Sequence, residues 1–249
     1  MSPLFVELDR SEPDRRRRGE PTLNVRAPLT GANNMSFVAK PLTSPEPRTA
    51  PLTNRGLAKL RTREKILEAG RRLFTERGYE GATVRDIARA AGMSTGAVFA
   101  SFADKAELFD EIVATDYRSL EAEMAEAVRN APTIEEALLG LFGAAYRSHV
   151  HQLPMVCAAM SAGWTRHPST APRSREALKP IVDLIREALQ QGVDRGELAA
   201  NTDVRLLRGI VWEVYLSGYR AAVYEGWTAD DMIRRLADQL RIILTGAKG

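Results

Sequence analysis

The sequence lacks several features that would define a class of protein. Its 249 residues include one cysteine, Cys157. A single cysteine cannot form an internal disulfide or a cysteine-based metal cluster, and it agrees with a reducing compartment. No apolar run approaches the roughly 20 residues that a membrane helix needs, and charged residues interrupt Met1–Arg18, where a signal peptide would be apolar. We therefore expect a cytoplasmic protein with no membrane partner.

Signatures of catalysis and of metal binding are also missing. The sequence has no Gly-rich phosphate loop ending in Lys-Ser/Thr, no H-E-x-x-H motif and no nucleophile elbow. Its three histidines and its cysteine could suggest a metal site, but His149 and His151 are two residues apart and point to different sides of a helix. We expect no catalytic residues, no metal and no cofactor, so that a binding protein is favoured over an enzyme.

Positive charge is concentrated in the first part of the chain. Hydrophobic residues make up 44% and charged residues 27%, which is typical of globular proteins. Residues 1–105 hold 19 Lys and Arg against 12 Asp and Glu, whereas the rest of the chain holds 16 against 20. This asymmetry predicts that an anionic polymer binds the N-terminal part.

Residues 1–60 are predicted to form a disordered, basic, Pro-rich arm. They contain eight of the thirteen prolines and no sustained helical or alternating apolar period. The run Arg15–Arg18 would suit a DNA minor groove, where it would add salt-dependent affinity. A solvated tail without function is the alternative, and the sequence leaves it open.

Three short helices are predicted next, within about forty residues. The first begins near Thr62 and stops at Gly78; the second begins with Thr83; the third is capped by Ser94 or Thr95 and ends near Phe102. The segment from Thr83 to Phe102 has the layout of a helix-turn-helix, with Ala88 and Gly92 small enough for the helices to cross closely.

The second helix of such a motif places its N-terminal residues against base edges in the major groove. This predicts base contacts from Thr95, Gly96 and Ala97. Phosphates are expected to meet hydroxyls, cations and backbone N–H groups at helix starts. The residues expected on phosphate are Thr83, Arg85, Ser94 and Lys105.

The segment Thr62–Phe109, which contains "ILEAGRRLFTERGYEGATVRDIARAAGMSTGAVFASFADKAELF", resembles the DNA-binding domain of TetR/AcrR-family transcriptional regulators. The resemblance implies an all-α homodimer of about nine helices whose first three helices bind an operator. It also implies a larger domain for a small-molecule inducer, with the dimer made by the last two helices. Phe99 of the recognition helix is also expected to be among the DNA-binding residues. Phe99-Ala100 stands where many relatives have Tyr-His, so fewer direct phosphate contacts are expected there.

The rest of the chain is predicted to be helical, with no convincing strand. A DNA-binding domain is expected over residues 61–108 and a ligand-binding and dimerisation domain over residues 109–249. Helical stretches are predicted near Ile134–His151, Met155–Thr165, Arg173–Gly192, Asp203–Tyr224 and Ala229–Thr245. Pro180 should start or bend the helix in which it falls.

Aromatic and polarizable side chains near the middle of this domain are candidates for a ligand pocket. The candidates are Phe142, Tyr146, His149, Met160, Trp164 and Trp212, with Met155 beside them. Residues of these types at helical spacing more often belong to an ordinary core, and that alternative stays open.

The last two helices carry continuous apolar stripes. Gly218 and Ala222 are small and one turn apart, which would let a partner helix approach closely. An internal core stripe fits the periodicity equally well, and the family resemblance favours the dimer. The stripe residues are Val204, Leu207, Val211, Val214, Tyr215, Gly218, Ala222, Met232, Leu236, Leu240 and Ile243.

The function that these features favour is a sequence-specific transcriptional regulator, a repressor released from a palindromic operator by a small-molecule inducer. Two alternatives come from other classes. The first is a structural DNA-binding protein that senses nothing, and the second is an enzyme with an incidental helix-turn-helix. The size of the C-terminal domain favours the regulator over the structural protein.

Overall fold

A computed structural model describes residues 54–165 and 171–247 of the chain. The run Arg15–Arg18 and His167 lie outside these residues. Within them the chain forms nine α-helices and one short 3₁₀ turn, Val150–Gln152. The helices are α1 (Asn54–Gly81), α2 (Val84–Ala90), α3 (Thr95–Phe99), α4 (Lys105–Asn130), α5 (Ile134–His149), α6 (Leu153–Thr165), α7 (Pro172–Asp194), α8 (Val204–Glu225) and α9 (Ala229–Gly246).

Two hydrophobic cores divide the described residues into a head and a body. The head core joins α1, α2 and α3 to the first part of α4 through side chains that include Phe74, Ile87, Val98 and Ile112. The body core is formed by the rest of α4 and by α5, α7, α8 and α9. The fourth helix therefore runs from one core into the other, and this confirms the predicted all-α architecture of a helix-turn-helix head joined to a larger helical domain.

Contacts between helices place α6 between head and body. This helix packs on α1 of the head and on α8 of the body. In the body, α4 packs on α5 and α7, and α9 packs on α5 and α8. None of the helices in the two described ranges is long and apolar enough to cross a membrane.

Several helix boundaries differ from the sequence-based expectation. Helix α1 begins at Asn54 rather than near Thr62, because its first two turns are largely exposed and carry no periodic apolar signal. Helix α6 begins at Leu153 rather than at Met155, because Pro154 lies in its first turn, where a missing N–H costs nothing. Pro180 lies inside α7, which continues through it to Asp194.

The apolar stripe predicted for the dimer is mostly interior. Val211 and Leu240 are completely buried in the body core, and Leu207, Tyr215, Ala222, Met232 and Leu236 are buried with them. Gly218 faces Tyr146 of α5, whose hydroxyl would lie 2.3 Å from an added Cβ. The small residues thus allow α8 to approach α5 of the same chain, which is the core-stripe alternative.

Candidate DNA-binding surface and effector cavity

Helix α2 is followed by a glycine in the left-handed backbone conformation. Gly92 has φ +68°, and its N–H donates to the Arg89 carbonyl at 3.1 Å. The Met93 N–H donates to the Ala88 carbonyl at 2.9 Å, which completes a Schellman motif. An added Cβ at Gly92 would meet nothing within 4 Å. Glycine is therefore required there by its backbone conformation, and the close crossing expected from the sequence is not the reason.

Both helices of the motif begin with a side-chain cap. The Thr83 hydroxyl accepts the Asp86 N–H at 3.2 Å and donates to the Asp86 carboxylate at 2.6 Å, which holds the pKa of that carboxyl below its usual value. The Ser94 hydroxyl accepts the Ala97 N–H at 3.2 Å, so Ser94 is the cap and Thr95 the first residue of α3. The caps fix the starts of both helices at the surface.

Most of the residues predicted to contact DNA on α2 and α3 are exposed. Arg85 is exposed beside Thr83, and Ala97 is half-buried. Phe99 is 54% exposed on the same helix. The exposed residues at the start of α3 are Ser94, Thr95 and Gly96.

Lys105 is engaged within the head. Its ammonium group donates to the Tyr79 carbonyl at 2.9 Å and lies 4.2 Å from the centroid of the Tyr79 ring. The Glu80 carboxylate lies 3.9 Å from the same ammonium. An ammonium has three donors, so this geometry fixes the position of the group and leaves a donor for a phosphate.

Arg63 of α1 links the chain just after the recognition helix to α4. One Arg63 nitrogen donates to the Ser101 carbonyl, just after α3, at 2.9 Å, and another lies 2.8 Å from the Glu111 carboxylate of α4. The same guanidinium stacks over the Phe102 ring at 4.1 Å. Arg63 therefore orients α3 against α1 and α4.

The N-terminus of α7 is also tied to α4. The buried Asp110 carboxylate accepts the backbone N–H of Arg173 at 3.0 Å and that of Ser174 at 2.9 Å. The Arg173 side chain lies 2.7 Å from Glu107 and 3.0 Å from Glu111. An acidic side chain at a helix N-terminus satisfies free N–H groups and favours the helix dipole, so α4 supplies the cap of α7.

A cavity of about 70 Å³ lies between α4, α6 and α8. Of the six residues predicted for a ligand pocket, it is lined by His149, Met160, Trp164 and Trp212. Phe142 and Tyr146 lie behind the wall: the Phe142 ring stacks on Tyr215 at 4.4 Å, and the Tyr146 hydroxyl donates to the Tyr215 carbonyl at 2.5 Å. The structure thus brings four of the six together at one cavity.

Other lining residues were missed by the sequence reasoning. They are Val113, Asp116, Tyr117, Val156, Ala159, Leu178, Tyr215, Leu216 and Tyr219. Met155, which the sequence placed beside the six candidates, also lines the cavity. The spacing of Trp212, Tyr215 and Tyr219 at three and four residues places three aromatic rings on one side of α8. That spacing is visible in the sequence, but Tyr215 also lies on the apolar stripe of α8 that predicts the dimer.

The cavity wall is linked to the head at two points. Asp116 of α4 forms a salt bridge with Arg71 of α1, and burial raises the pKa of the Asp116 carboxyl despite the opposing attraction of Arg71. Met155 of α6 lines the cavity and is buried in the head core. The same side chains therefore contact a cavity and support the DNA-binding surface.

Comparison with known proteins identifies the family. The family model for bacterial regulatory proteins of the tetR family matches residues 66–112. The repressor AcnR of Corynebacterium diphtheriae is 30% identical over 174 residues, which cover 70% of this chain and 87% of AcnR. The repressor KstR2 of Mycobacterium tuberculosis is 30% identical over 155 residues, 60% of this chain and 78% of KstR2. The chain belongs to the TetR family.

The TetR-family fold extends beyond the head. FadR from Bacillus subtilis, solved in complex with stearoyl-CoA, superimposes with a TM-score of 0.62 at 19% identity and covers 74% of this chain and 98% of its own. At that identity the likeness concerns the fold alone. Membership in the TetR family makes this chain a DNA-binding transcriptional repressor, and it points to a class of regulators rather than of enzymes.

Proposed function

We propose that this TetR-family member is a cytoplasmic homodimer that binds a palindromic operator through α2 and α3 and releases it when a small molecule enters the cavity. The observation that carries this proposal is that the cavity and the head share side chains. Asp116 in the cavity wall pairs with Arg71 of α1, and Met155 belongs to the head core. An effector and the operator would therefore act on the same helices.

The size of the cavity supports release by displacement of helices. Its volume of about 70 Å³ is smaller than an engineered cavity of roughly 150 Å³ that holds benzene. Small-molecule sites usually occupy about 300–1,000 Å³. An effector must therefore move α6 away from α4 or α8, and because α6 packs on α1, that movement also acts on the head.

The linkage between effector and operator provides the decisive experiment. An effector shifts the equilibrium only by its differential affinity for the two states, and the coupling is reciprocal. A compound found by thermal-shift screening should bind more weakly to the operator complex than to free protein, by the same factor by which it weakens operator binding. Equal calorimetric affinities with and without operator would contradict release by that compound.

Truncation of the cavity wall gives a second measurement. Trp164 lines the cavity and is 52% exposed, so Trp164→Ala should weaken effector binding with little effect on folding or on operator affinity without effector. His151→Ala is the matched control, because His151 is an exposed ring close in sequence that lies outside the cavity wall. An equal loss of effector affinity in both variants would argue against the cavity.

The outer faces of the last two helices supply the proposed dimer interface. Leu206 and Ile210 on α8 are 56% and 42% exposed, and Ile242 on α9 is 75% exposed. Exposed aliphatic residues on adjacent helices are typical of a surface covered by a second copy. Ile210→Arg together with Ile242→Arg should give monomers in analytical ultracentrifugation. The control Gln190→Arg, at an exposed position of α7, should remain dimeric.

The operator is tested with DNA selected from a random pool by the purified protein. A two-fold dimer predicts two protected half-sites about one helical turn apart, roughly 34–36 Å. Competition with random DNA distinguishes this function from a structural DNA-binding protein. Protection of a single asymmetric half-site at saturation would contradict the proposal.

A further inference from the structure

Three hydrogen-bonding side chains form a continuous chain along one wall of the cavity. The Tyr215 and Tyr219 hydroxyl oxygens lie 2.6 Å apart, and the Tyr219 hydroxyl lies 2.8 Å from Nδ1 of His149. All three residues line the cavity and are buried. Within the described part of the chain, the two hydroxyls and the His149 ring have no hydrogen-bond partners other than one another.

The three side chains carry more polar hydrogens than the hydrogen bonds between them use. Burial lowers the pKa of His149 to about 4, so at neutral pH the imidazole is uncharged and holds one N–H. Burial raises the pKa of both tyrosines, which therefore keep their hydroxyl protons. Three groups thus carry three protons, while the two hydrogen bonds between them use two.

The remaining donor stays in the cavity wall for either tautomer of His149. If Nδ1 accepts from Tyr219, then Nε2 carries the remaining proton. If Nδ1 donates, one of the two tyrosine hydroxyls carries it, because either hydroxyl can be the donor in the bond between them. A buried donor without an acceptor costs about 1–3 kcal/mol. A ligand that brings no acceptor leaves that donor unpaired, or displaces a water molecule that could have bonded to it.

The other lining residues restrict the charge of a ligand. The Asp116 carboxylate is engaged by Arg71, and Tyr117 adds a further hydroxyl beside it. No Lys or Arg is among the described residues that line the cavity. An anionic ligand would meet a carboxylate and no lining cation, so an uncharged acceptor is favoured.

We propose that the effector is an uncharged, largely apolar molecule with a carbonyl-type oxygen that accepts the remaining proton of the Tyr215–Tyr219–His149 chain. This inference rests on the proposed role of the cavity as the effector site. It specifies the chemistry that the site recognises: an apolar body for the aromatic and aliphatic lining, and one neutral oxygen acceptor for the wall of α5 and α8.

Four probes of similar size test the proposal on the full chain without DNA: acetophenone, ethylbenzene, benzoate and 1-phenylethylammonium. Binding is measured by quenching of the tryptophan fluorescence, since Trp164 and Trp212 line the cavity. Acetophenone should bind at least about tenfold more tightly than ethylbenzene, and both charged probes should bind more weakly than acetophenone. Equal binding of acetophenone and ethylbenzene, preference for a charged probe, or no binding by any probe would overturn the proposal.

Substitutions then assign the preference to this chain of side chains. The combined variant Tyr215→Phe, Tyr219→Phe and His149→Phe removes all three donors and keeps a planar ring at each position, and its preference for acetophenone should fall to within about twofold. Tyr146→Phe is the matched control, because it removes a buried hydroxyl that bonds the Tyr215 carbonyl outside the cavity wall. A combined variant that folds and keeps the full preference would overturn the assignment.

The carbonyl itself provides a measurement that needs no variant. The infrared stretch of ¹³C-labelled acetophenone should move to lower wavenumber on binding, relative to its position in hexane, because a donor polarises the oxygen. An unshifted band would overturn the proposal even if the combined variant does not fold. A probe that binds with the expected preference and leaves operator affinity unchanged would instead refute release of DNA, so the two failures are distinguishable.

Discussion

Gly218→Ala tests whether the small residues of α8 belong to the interior of the protomer. A Cβ at Gly218 would lie 2.3 Å from the Tyr146 hydroxyl oxygen and 2.8 Å from Cζ of that ring. Tyr146 is 1% exposed, and its hydroxyl donates to the Tyr215 carbonyl. The ring has little free space to move into, so the substitution must shift α8 away from α5 or break that hydrogen bond.

The expected magnitude follows from three terms. Replacing glycine by alanine inside a helix stabilises it by about 1 kcal/mol. Overpacking of a buried site costs about 1–3 kcal/mol, and loss of the Tyr146 hydrogen bond costs about 1 kcal/mol more. We therefore expect the free energy of unfolding to fall by about 1–3 kcal/mol, with a decrease in Tm of about 2–4 °C for each kcal/mol.

Urea unfolding measures this change, and two further variants control it. Gly209→Ala lies on the same helix, where an added Cβ would meet no atom of the protomer within 4 Å, so it should be neutral or stabilising. In the Tyr146→Phe background, which removes the oxygen that would clash, Gly218→Ala should cost about 1 kcal/mol less than in the wild type.

Two results would refute the reasoning about Gly218. Stability equal to that of Gly209→Ala would mean that Tyr146 does not restrict the site. A change in the dimer dissociation constant with no change in protomer stability would return Gly218 to the interface between copies. Unfolding measured at two protein concentrations separates these cases, since only the dimer contribution depends on concentration.

Three other predictions concern DNA binding and pH. Phe99→Tyr restores a hydroxyl on the exposed face of α3 and should strengthen binding to operator and random DNA alike, about 2–10-fold in filter binding; a change in base preference would contradict this role. Deletion of residues 1–53 should lower the slope of log affinity against log salt, and identical slopes would identify a tail without function. The pKa of His149 is about 4 in the folded protein and 6.5 in its ordinary state, so the unfolded chain binds a proton first as the pH falls. The contribution of His149 to stability is therefore complete above pH 6.5, and the free energy of unfolding should fall by up to about 3 kcal/mol towards pH 4 in urea titrations. His149→Phe should abolish this loss.

The head was predictable because its signals are local. Thr83 and Ser94 cap helices through bonds to residues three positions on, and Gly92 ends a helix through its own backbone angle. Such features depend only on residues close together in the chain, so they can be predicted from the sequence. The first turns of α1 were missed for the converse reason, since exposed helical residues such as Lys59 carry no periodic apolar pattern.

The cavity was only partly predictable because its wall depends on which residues of different helices meet. Periodicity placed Phe142, Tyr146 and Trp212 on apolar faces, but it could not tell the residues behind the wall from those in it. The same limit applies to α8, where Tyr215 lies on a stripe that fits a core and an interface equally well. The contact between Gly218 and Tyr146 favours the core over the interface for this stripe, and that contact is visible only in the packed structure.

Helix α4 alone could couple the cavity to the DNA-binding surface. Val113, Asp116 and Tyr117 line the cavity from α4, eight to twelve residues after the helix begins at Lys105, which is about 12–18 Å at 1.5 Å per residue. Between these points the helix is fixed to α7 through Asp110 and to the head through its buried apolar face. We therefore expect a displacement at the cavity wall to be carried along one continuous helix, so that no series of separate rearrangements is needed to move the recognition helix.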